Sequence, residues 1–296
     1  MKLNSLKIAT RKSKLALWQA NFVKDALEKK HPPLKIELVE IVTDGDRLQN
    51  VALTDVGGKS VFVKALQTAL LNNTADIAVH SMKDMSVHDT ADLTIAAVCE
   101  RADARDAFLS INYADIASLP KNAVVGTASP RRSSLIKSLR PDVQIKLLRG
   151  NVDTRLAKLQ QGDFDAIILA AAGLHRLSLS SHIRTYLDTD FFTPAIAQGA
   201  IAIECRENDE KTRELLHFLH HEPTKICVTA ERAVNKVLNG DCHTAIGAYA
   251  KIIDDQLHLS AMLGQAHGEK ILRASAIGEK NEPEKLGEIV ARSMAV

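Results

Sequence analysis

Val125-Gly126-Thr127-Ala128-Ser129-Pro130-Arg131-Arg132 closes an apolar run and opens a polar-faced one, and more than a hundred residues earlier Ile8-Ala9-Thr10-Arg11-Lys12-Ser13 does the same. Each stretch reads as a strand running into a helix. A hydroxyl at the cap position, the unpaired N–H groups of a first turn and, in the later copy, a proline at the first helical position all suit such a junction. Ordinary capping accounts for both stretches. So does anion binding, because the same N–H groups and the helix dipole attract negative charge.

Working outward, short apolar runs alternate with amphipathic ones: 6–9 then 13–30, 35–42 then 60–72, and 76–79. After Arg105 the rhythm restarts, with 123–126 and 130–139, 143–148 and 151–161, 166–170 and 173–177. This is βαβ order, so the chain predicts two α/β lobes, each on a mainly parallel sheet. From Glu222 the pattern changes to a helix expected over 229–238, the stretch 240–244, and alternating strands around 246–252, 256–262 and 270–277. A small third α+β domain is expected there.

At 296 residues the chain is long enough for two or three domains. Apolar residues make up 46%, charged residues 25%, and the net charge is +2, so the composition is that of a globular protein and the bulk charge names no partner. Residues 1–30 lack the basic, apolar, small-residue order of a signal peptide, and no run approaches the ~18 apolar residues of a membrane span. The expectation is a cytoplasmic protein without a membrane partner. Cys99, Cys205, Cys227 and Cys242 are widely spaced with no C-x-x-C pair, which argues against a zinc ribbon or a disulfide framework, and three of them read as buried hydrophobes. His217 and His221 have the i, i+4 spacing of a metal pair, but no acid or cysteine nearby completes it, so no metal is expected. Aromatics at 4% and the lack of a contiguous basic face argue against nucleic acid.

In open α/β sheets ligands sit beyond the carboxyl ends of the strands. At those ends this sequence places Arg11, Lys83, Arg131, Arg132, Arg149, Arg155 and Arg176. Any one of them is unremarkable as a surface charge; together they predict a polyanionic ligand. Arginine forks match carboxylates and phosphates, at roughly 1.5–3 kcal/mol for each charge-assisted bond. Gly57-Gly58-Lys59-Ser60 lacks the first glycine of a P-loop, so a nucleoside triphosphate is not supported. One acid falls among the cations, Asp84 in His80-Ser81-Met82-Lys83-Asp84. Pairing with Lys83 or capping the next turn would explain it. A carboxylate there would also suit stabilising a cationic intermediate or handing a proton to a leaving amine.

His80-Ser81-Met82-Lys83-Asp84, Val56-Gly57-Gly58-Lys59, Arg131-Arg132, Leu148-Arg149-Gly150-Asn151 with Arg155, Ala171-Ala172-Gly173-Leu174, and Pro194-Ala195 with Gln198-Gly199 resemble, in order and spacing, the signature of porphobilinogen deaminases. The likeness runs from Ile8 to about Gly278. It implies two lobes similar to periplasmic binding proteins plus a small α+β third domain. Domain 1 would then comprise 1–99 and, after the chain returns, 200–217; domain 2 would be 105–193 and domain 3 222–296. It further implies an enzyme that condenses four porphobilinogen molecules, with loss of ammonia, into the linear tetrapyrrole hydroxymethylbilane. The cofactor would be a dipyrromethane primer in thioether linkage to Cys242, which the residues alone do not single out. Asp84 matches the family's catalytic aspartate, which meets pyrrole N–H groups and assists ammonia loss through an azafulvene-like cation. Arg11, Ser13, Lys83, Ser129, Arg131, Arg132, Arg149, Arg155 and Arg176 match positions holding acetate and propionate groups. Lys59, Ser81, Thr127, Asn151 and Gln198 complete the expected contact set. The resemblance favours a monomer. The cation set suits this ligand, since each pyrrole carries two carboxylates and a growing chain becomes a polyanion.

The sequence also departs from the family. The cysteine loop usually reads Gly-Gly-Cys with a proline three residues later, whereas here it is Gly240-Asp241-Cys242-His243-Thr244-Ala245. An acid beside the thiol disfavours the thiolate and is expected to slow primer loading. After Val42, where relatives often carry basic residues in a lid, this chain has Asp44 and Asp55, and a weaker grip on anionic product is expected. Pro130 replaces a usual leucine, which the first helical position tolerates. The chain ends at Val296, shorter than many relatives, and a shortened last helix is the expectation. Two rivals follow: a non-catalytic two-lobed anion-binding protein, against which Asp84 and a cysteine-bearing third domain weigh, and a divergent deaminase of low activity.

Overall fold

A computed structural model describes residues 4–42, 60–240, 244–264 and 270–294. Cys242, Lys59, Asp44, Asp55 and Asp241 lie outside the described residues. The chain divides into two compact units, Met1–Ala102 with Ala200–Lys225, and Asp103–Gly199 with Ile226–Val296.

The first unit is built on β1 (Ser5–Arg11), α1 (Lys14–Lys30), β2 (Lys35–Ile41), α2 (Ser60–Leu71), β3 (Ile77–Ser81), β4 (Leu93–Val98) and, after the return of the chain, β10 (Ile201–Arg206) and α6 (Glu210–Leu216). The sheet order is β2-β1-β3-β10-β4. Alternation along β1 explains its two-sided cover: Leu6 and Ile8 pack with Ala20, Val23 and Leu27 of α1, while Ala9 meets Leu66 and Leu70 of α2. The unit continues beyond residue 217, where the sequence predicted a break. His221 N–H donates to Val98 O (2.8 Å), and Val98 N–H donates to His220 Nδ1 (3.2 Å). Arg101 N–H donates to Thr224 Oγ1 (3.1 Å), so the histidine cluster caps the edge of this sheet.

In the second unit β5 (Asp106–Leu109), β6 (Val124–Gly126), α3 (Pro130–Leu139), β7 (Gln144–Lys146), α4 (Val152–Gln160), β8 (Ala166–Ala170), α5 (Ala171–Arg176) and β9 (Thr185–Leu187) form a sheet of order β7-β6-β8-β5-β9 with its helices. Phe108 of β5 joins Leu135 and Ile136 of α3 on one face; Ala107 and Leu109 join Leu156 and Leu159 of α4 on the other. A three-stranded antiparallel sheet follows, β11 (Ala245–Ile253), β12 (Gln256–Gly264) and β13 (Ile271–Glu279), with α7 (Glu222–Leu238) and α8 (Pro283–Met294). The helix expected from residue 229 thus begins a full two turns earlier. Leu257, Leu259 and Ala261 of β12 pack under α7 and α8, and Met262, on the opposite face, reaches the core around α3.

Both five-stranded sheets are mainly parallel, as the βαβ rhythm predicts, with one reversed strand each. β10 is antiparallel to β3 and β4, and β5 is antiparallel to β8 and β9. Reversal has a consequence for chemistry. Asp106, the first residue of β5, lies opposite Ala170, the last of β8, so a reversed strand delivers its opening residue to the end where its neighbours finish. Among the described residues no helix is long and apolar enough to cross a membrane.

Candidate functional site

In the first unit, β1 and β3 are parallel neighbours with Ile8 beside Ile77 and Ala9 beside Ala78, so Arg11 and Ser81 leave the sheet at the same edge. Ser13 caps α1, its Oγ accepting from Ala16 N–H (3.3 Å). The buried Gln19 amide of α1 donates to Ser81 Oγ (2.8 Å) and accepts from it (3.2 Å), which ties the helix to the end of β3. Directly after Ser81 the chain enters a 3₁₀ turn, Met82–Asp84. Met82 is buried as the anchor of this turn, and Lys83 and Asp84 are half-buried. One residue before Ser81, His80 Nε2 meets Glu204 Oε2 at 2.9 Å, and Gln67 Nε2 donates to Glu204 Oε1 (2.9 Å), so the root of the turn is pinned by a buried polar chain. Arg11, Ser13, Ser81, Lys83 and Asp84 are therefore gathered at one edge of one sheet.

The second unit repeats the device. Thr127 follows β6, donating its N–H to Lys146 O (3.0 Å) and accepting Ser129 N–H on Oγ1 (3.1 Å). Ser129 caps α3 through Arg132 N–H (3.4 Å), with Pro130 at the first position as expected. Asn151, exposed, heads α4, and its carbonyl accepts Arg155 N–H (3.0 Å). Arg155 Nε donates to Gly150 O (2.7 Å), and Arg176, in the last turn of α5, donates to Gly199 O (2.7 Å). Arg149, Arg155 and Arg176 are each half-buried. All of these follow β6, β7 or β8, whose carboxyl ends share one edge.

Arg131 and Arg132 are placed differently from the open forks the sequence led us to expect. They are only 3% and 7% exposed, and guanidiniums so deep must be paired. Arg132 donates through Nε (3.1 Å) and a terminal nitrogen (2.7 Å) to Asp106 Oδ1, and through its other terminal nitrogen to Ile168 O (3.0 Å). Arg131 donates to Asp106 Oδ2 (2.8 Å) and to Thr193 O (2.7 Å). Gln198 is fully buried, and its Nε2 donates to Ala104 O (2.8 Å) and Asp106 Oδ1 (3.1 Å). Burial pushes the Asp106 carboxyl up, but the two guanidiniums and their hydrogen bonds outweigh it and hold the group at about 2. The expectation of a single acid among the cations is thus corrected: Asp106 is a second one. In the sequence it closes the run Asp103-Ala104-Arg105-Asp106 and looks like surface charge; only the apolar Ala107-Phe108-Leu109 behind it hints at a strand that buries it.

Cys242 is outside the described residues. A methyl group added to Gly247 of β11 would sit 2.8 Å from Pro194 O, 3.0 Å from Thr193 O and 3.0 Å from Arg131 Cδ, so the three-stranded sheet rests against the arginine stem with no side chain between. The other three cysteines are buried. Burial, with Asp209 nearby, pushes the Cys205 thiol up to about 11, which leaves it inert at neutral pH.

Arg131 Nε is buried with no hydrogen-bond acceptor among the described residues. An orphaned cationic donor of this kind fits a ligand that brings its own carboxylates.

Comparison with known proteins identifies the family. The family model described as porphobilinogen deaminase, dipyromethane cofactor binding domain, matches residues 6–214, and that of the porphobilinogen deaminase C-terminal domain matches residues 225–295. Proteins named porphobilinogen deaminase from Coxiella burnetii, strains Dugway 5J108-111 and RSA 493 / Nine Mile phase I, are each 51% identical over 294 residues, covering 99% of this chain and 95% of theirs. Among solved structures, the methionine binding protein MetQ aligns with a TM-score of 0.47 at 13% identity, over 80% of this chain and 96% of that one, a likeness too remote to bear on function. The chain belongs to the porphobilinogen deaminase family.

Proposed function

We propose that this chain acts as a cytoplasmic monomer that condenses four porphobilinogen molecules, one at a time, into hydroxymethylbilane on a dipyrromethane primer held by Cys242. The observation that carries this reading is the buried Arg131–Arg132 pair, with its orphaned Nε, resting against the strand that begins three residues after Cys242. When bound, the primer would supply the free pyrrole carbon that accepts the first unit, each later unit bonding to the ring added before it.

The roles of this chain's own residues follow from their chemistry. Arg131 and Arg132 carry two positive charges against one on Asp106, so a single positive charge is left for a primer carboxylate. Arg149, Arg155 and Arg176, with Thr127, Ser129 and Asn151 at the helix starts, receive further acetate and propionate groups. Arg11, Ser13, Lys59, Ser81 and Lys83 belong to the first unit and carry the same chemistry for carboxylates. Asp84 donates a proton to the aminomethyl nitrogen as the C–N bond breaks with its electron pair leaving on nitrogen, so ammonia departs neutral. Its carboxylate then stabilises the pyrrole methylene cation left behind. Loss of a proton from the accepting ring completes each addition and rearomatises it.

The test is to supply porphobilinogen to purified protein and follow ammonia and linear tetrapyrrole together. One ammonia per porphobilinogen consumed, with tetrapyrrole as product, supports the reading. Saturable binding of porphobilinogen without ammonia release would replace it with the anion-binding rival.

A further inference from the structure

Asp106 takes no part in the bond-making proposed above, yet it is fully buried at the centre of the arginine pair. Among the described residues the other fully buried carboxylate, Glu231, accepts backbone N–H groups of Ala197 (2.7 Å) and Ala250 (2.8 Å) and so serves the frame. Asp106 instead meets side chains: three donors converge on Oδ1, two from Arg132 and one from Gln198, and Arg131 takes Oδ2. Each guanidinium is therefore held at two points, the carboxylate on one side and a carbonyl, Thr193 O or Ile168 O, on the other. Two fixed points on a planar group set its plane as well as its place.

We infer that Asp106 is a positioning residue for primer loading: it fixes the planes of Arg131 and Arg132 and reduces their charge to one, so that the pair is preset for a single carboxylate of the dipyrromethane. This rests on the reading that the arginine pair holds a primer carboxylate. Without Asp106 two guanidiniums face each other in a buried place, and each must turn away to find water or another acceptor. The remaining donors, Arg131 Nε among them, are then no longer held in one orientation. An unaligned pair has to be reorganised on every loading event, which slows loading whatever the final affinity.

The experiment is a double-mutant cycle read as primer loading. Protein produced without primer is given porphobilinogen, and the fraction carrying the adduct is followed by intact mass. Asp106→Asn keeps the shape but presents an N–H to an arginine, and it should load roughly tenfold more slowly, the scale of one charge-assisted hydrogen bond. Asp106→Glu keeps the charge at shifted geometry and should recover part of that loss. In an Arg132→Leu background Asp106→Asn should change the residual loading by no more than about twofold, because the pair it positions is gone.

Loading by Asp106→Asn at the parent rate overturns the inference, and so does an equal loss in both backgrounds, which would mean that Asp106 acts on the fold and not through the arginines. If Asp106→Asn does not fold, as judged by its thermal transition, Asp106→Glu decides: loading at the parent rate overturns the inference, and slowed loading in a folded protein upholds it. Normal loading by Arg131→Leu and Arg132→Leu would instead remove the underlying reading of the pair.

Discussion

Replacing Gly247 by alanine tests the contact between the three-stranded sheet and the arginine stem. The new methyl carbon would lie 2.8 Å from Pro194 O and 3.0 Å from both Thr193 O and Arg131 Cδ. Two of these are backbone oxygens, which cannot swing aside as a side-chain end can. Thr193 O is moreover the acceptor that anchors Arg131 at 2.7 Å, so the same displacement disturbs the arginine. Overpacking of this kind costs roughly 1–3 kcal/mol. At about 2–4 °C for each kcal/mol in a protein of this size, the melting temperature should fall by roughly 2–12 °C. Primer loading should slow roughly tenfold as well, since small misplacements at a binding group are costly in rate. Thermal unfolding and time-resolved intact mass measure the two effects. An unchanged melting temperature with unchanged loading would show that β11 does not rest on the Arg131 stem.

Other expectations follow from single residues. Asp84→Asn loses both charge and acidity and should be nearly inactive, at least ~10²-fold down in turnover, while Asp84→Glu keeps slow turnover; both should still hold primer supplied preassembled, and near-normal turnover by Asp84→Asn would place the acid elsewhere. Asp106 is held at about 2 in the folded protein against an ordinary 3.8, so its contribution to stability, about 2 kcal/mol, is complete above pH ~4 and lost as the pH falls toward 2. Asp106→Glu, with poorer pairing, should shift the acid unfolding midpoint upward; a lower midpoint would contradict the pairing. Lysine at both 44 and 55 should lower KM for porphobilinogen, most clearly at low salt, and no change at any ionic strength would mean the segment does not sense the substrate.

What the sequence disclosed and what it hid have physical reasons. Strand-to-helix junctions at Thr10–Ser13 and Thr127–Pro130 were legible because caps and first-turn prolines are local chemistry. The small sheet was legible because one face of β12 is covered by α7 and α8, giving the alternation of Leu257, Leu259 and Ala261. β5, β9 and β10 carry no such signal: β9 has only three residues, and β5 and β10 are buried along all or nearly all of their length, so no polar alternation marks them. Missing β5 meant missing Asp106, since only its reversed direction brings an acid to the carboxyl edge of β8. For the same reason Arg131 and Arg132 read as open forks when Asp106 already occupies part of each. The assignment of Cys242 rests on family resemblance, because a cysteine between an aspartate and a histidine has no physical mark of reactivity.

Whether Cys242 carries a primer made from the enzyme's own substrate is read from the intact mass of the purified protein. Purified active protein should be heavier than its sequence by one dipyrromethane, and Cys242→Ser should have the mass of the bare chain and no turnover. Fully active protein at the unmodified mass would contradict the account.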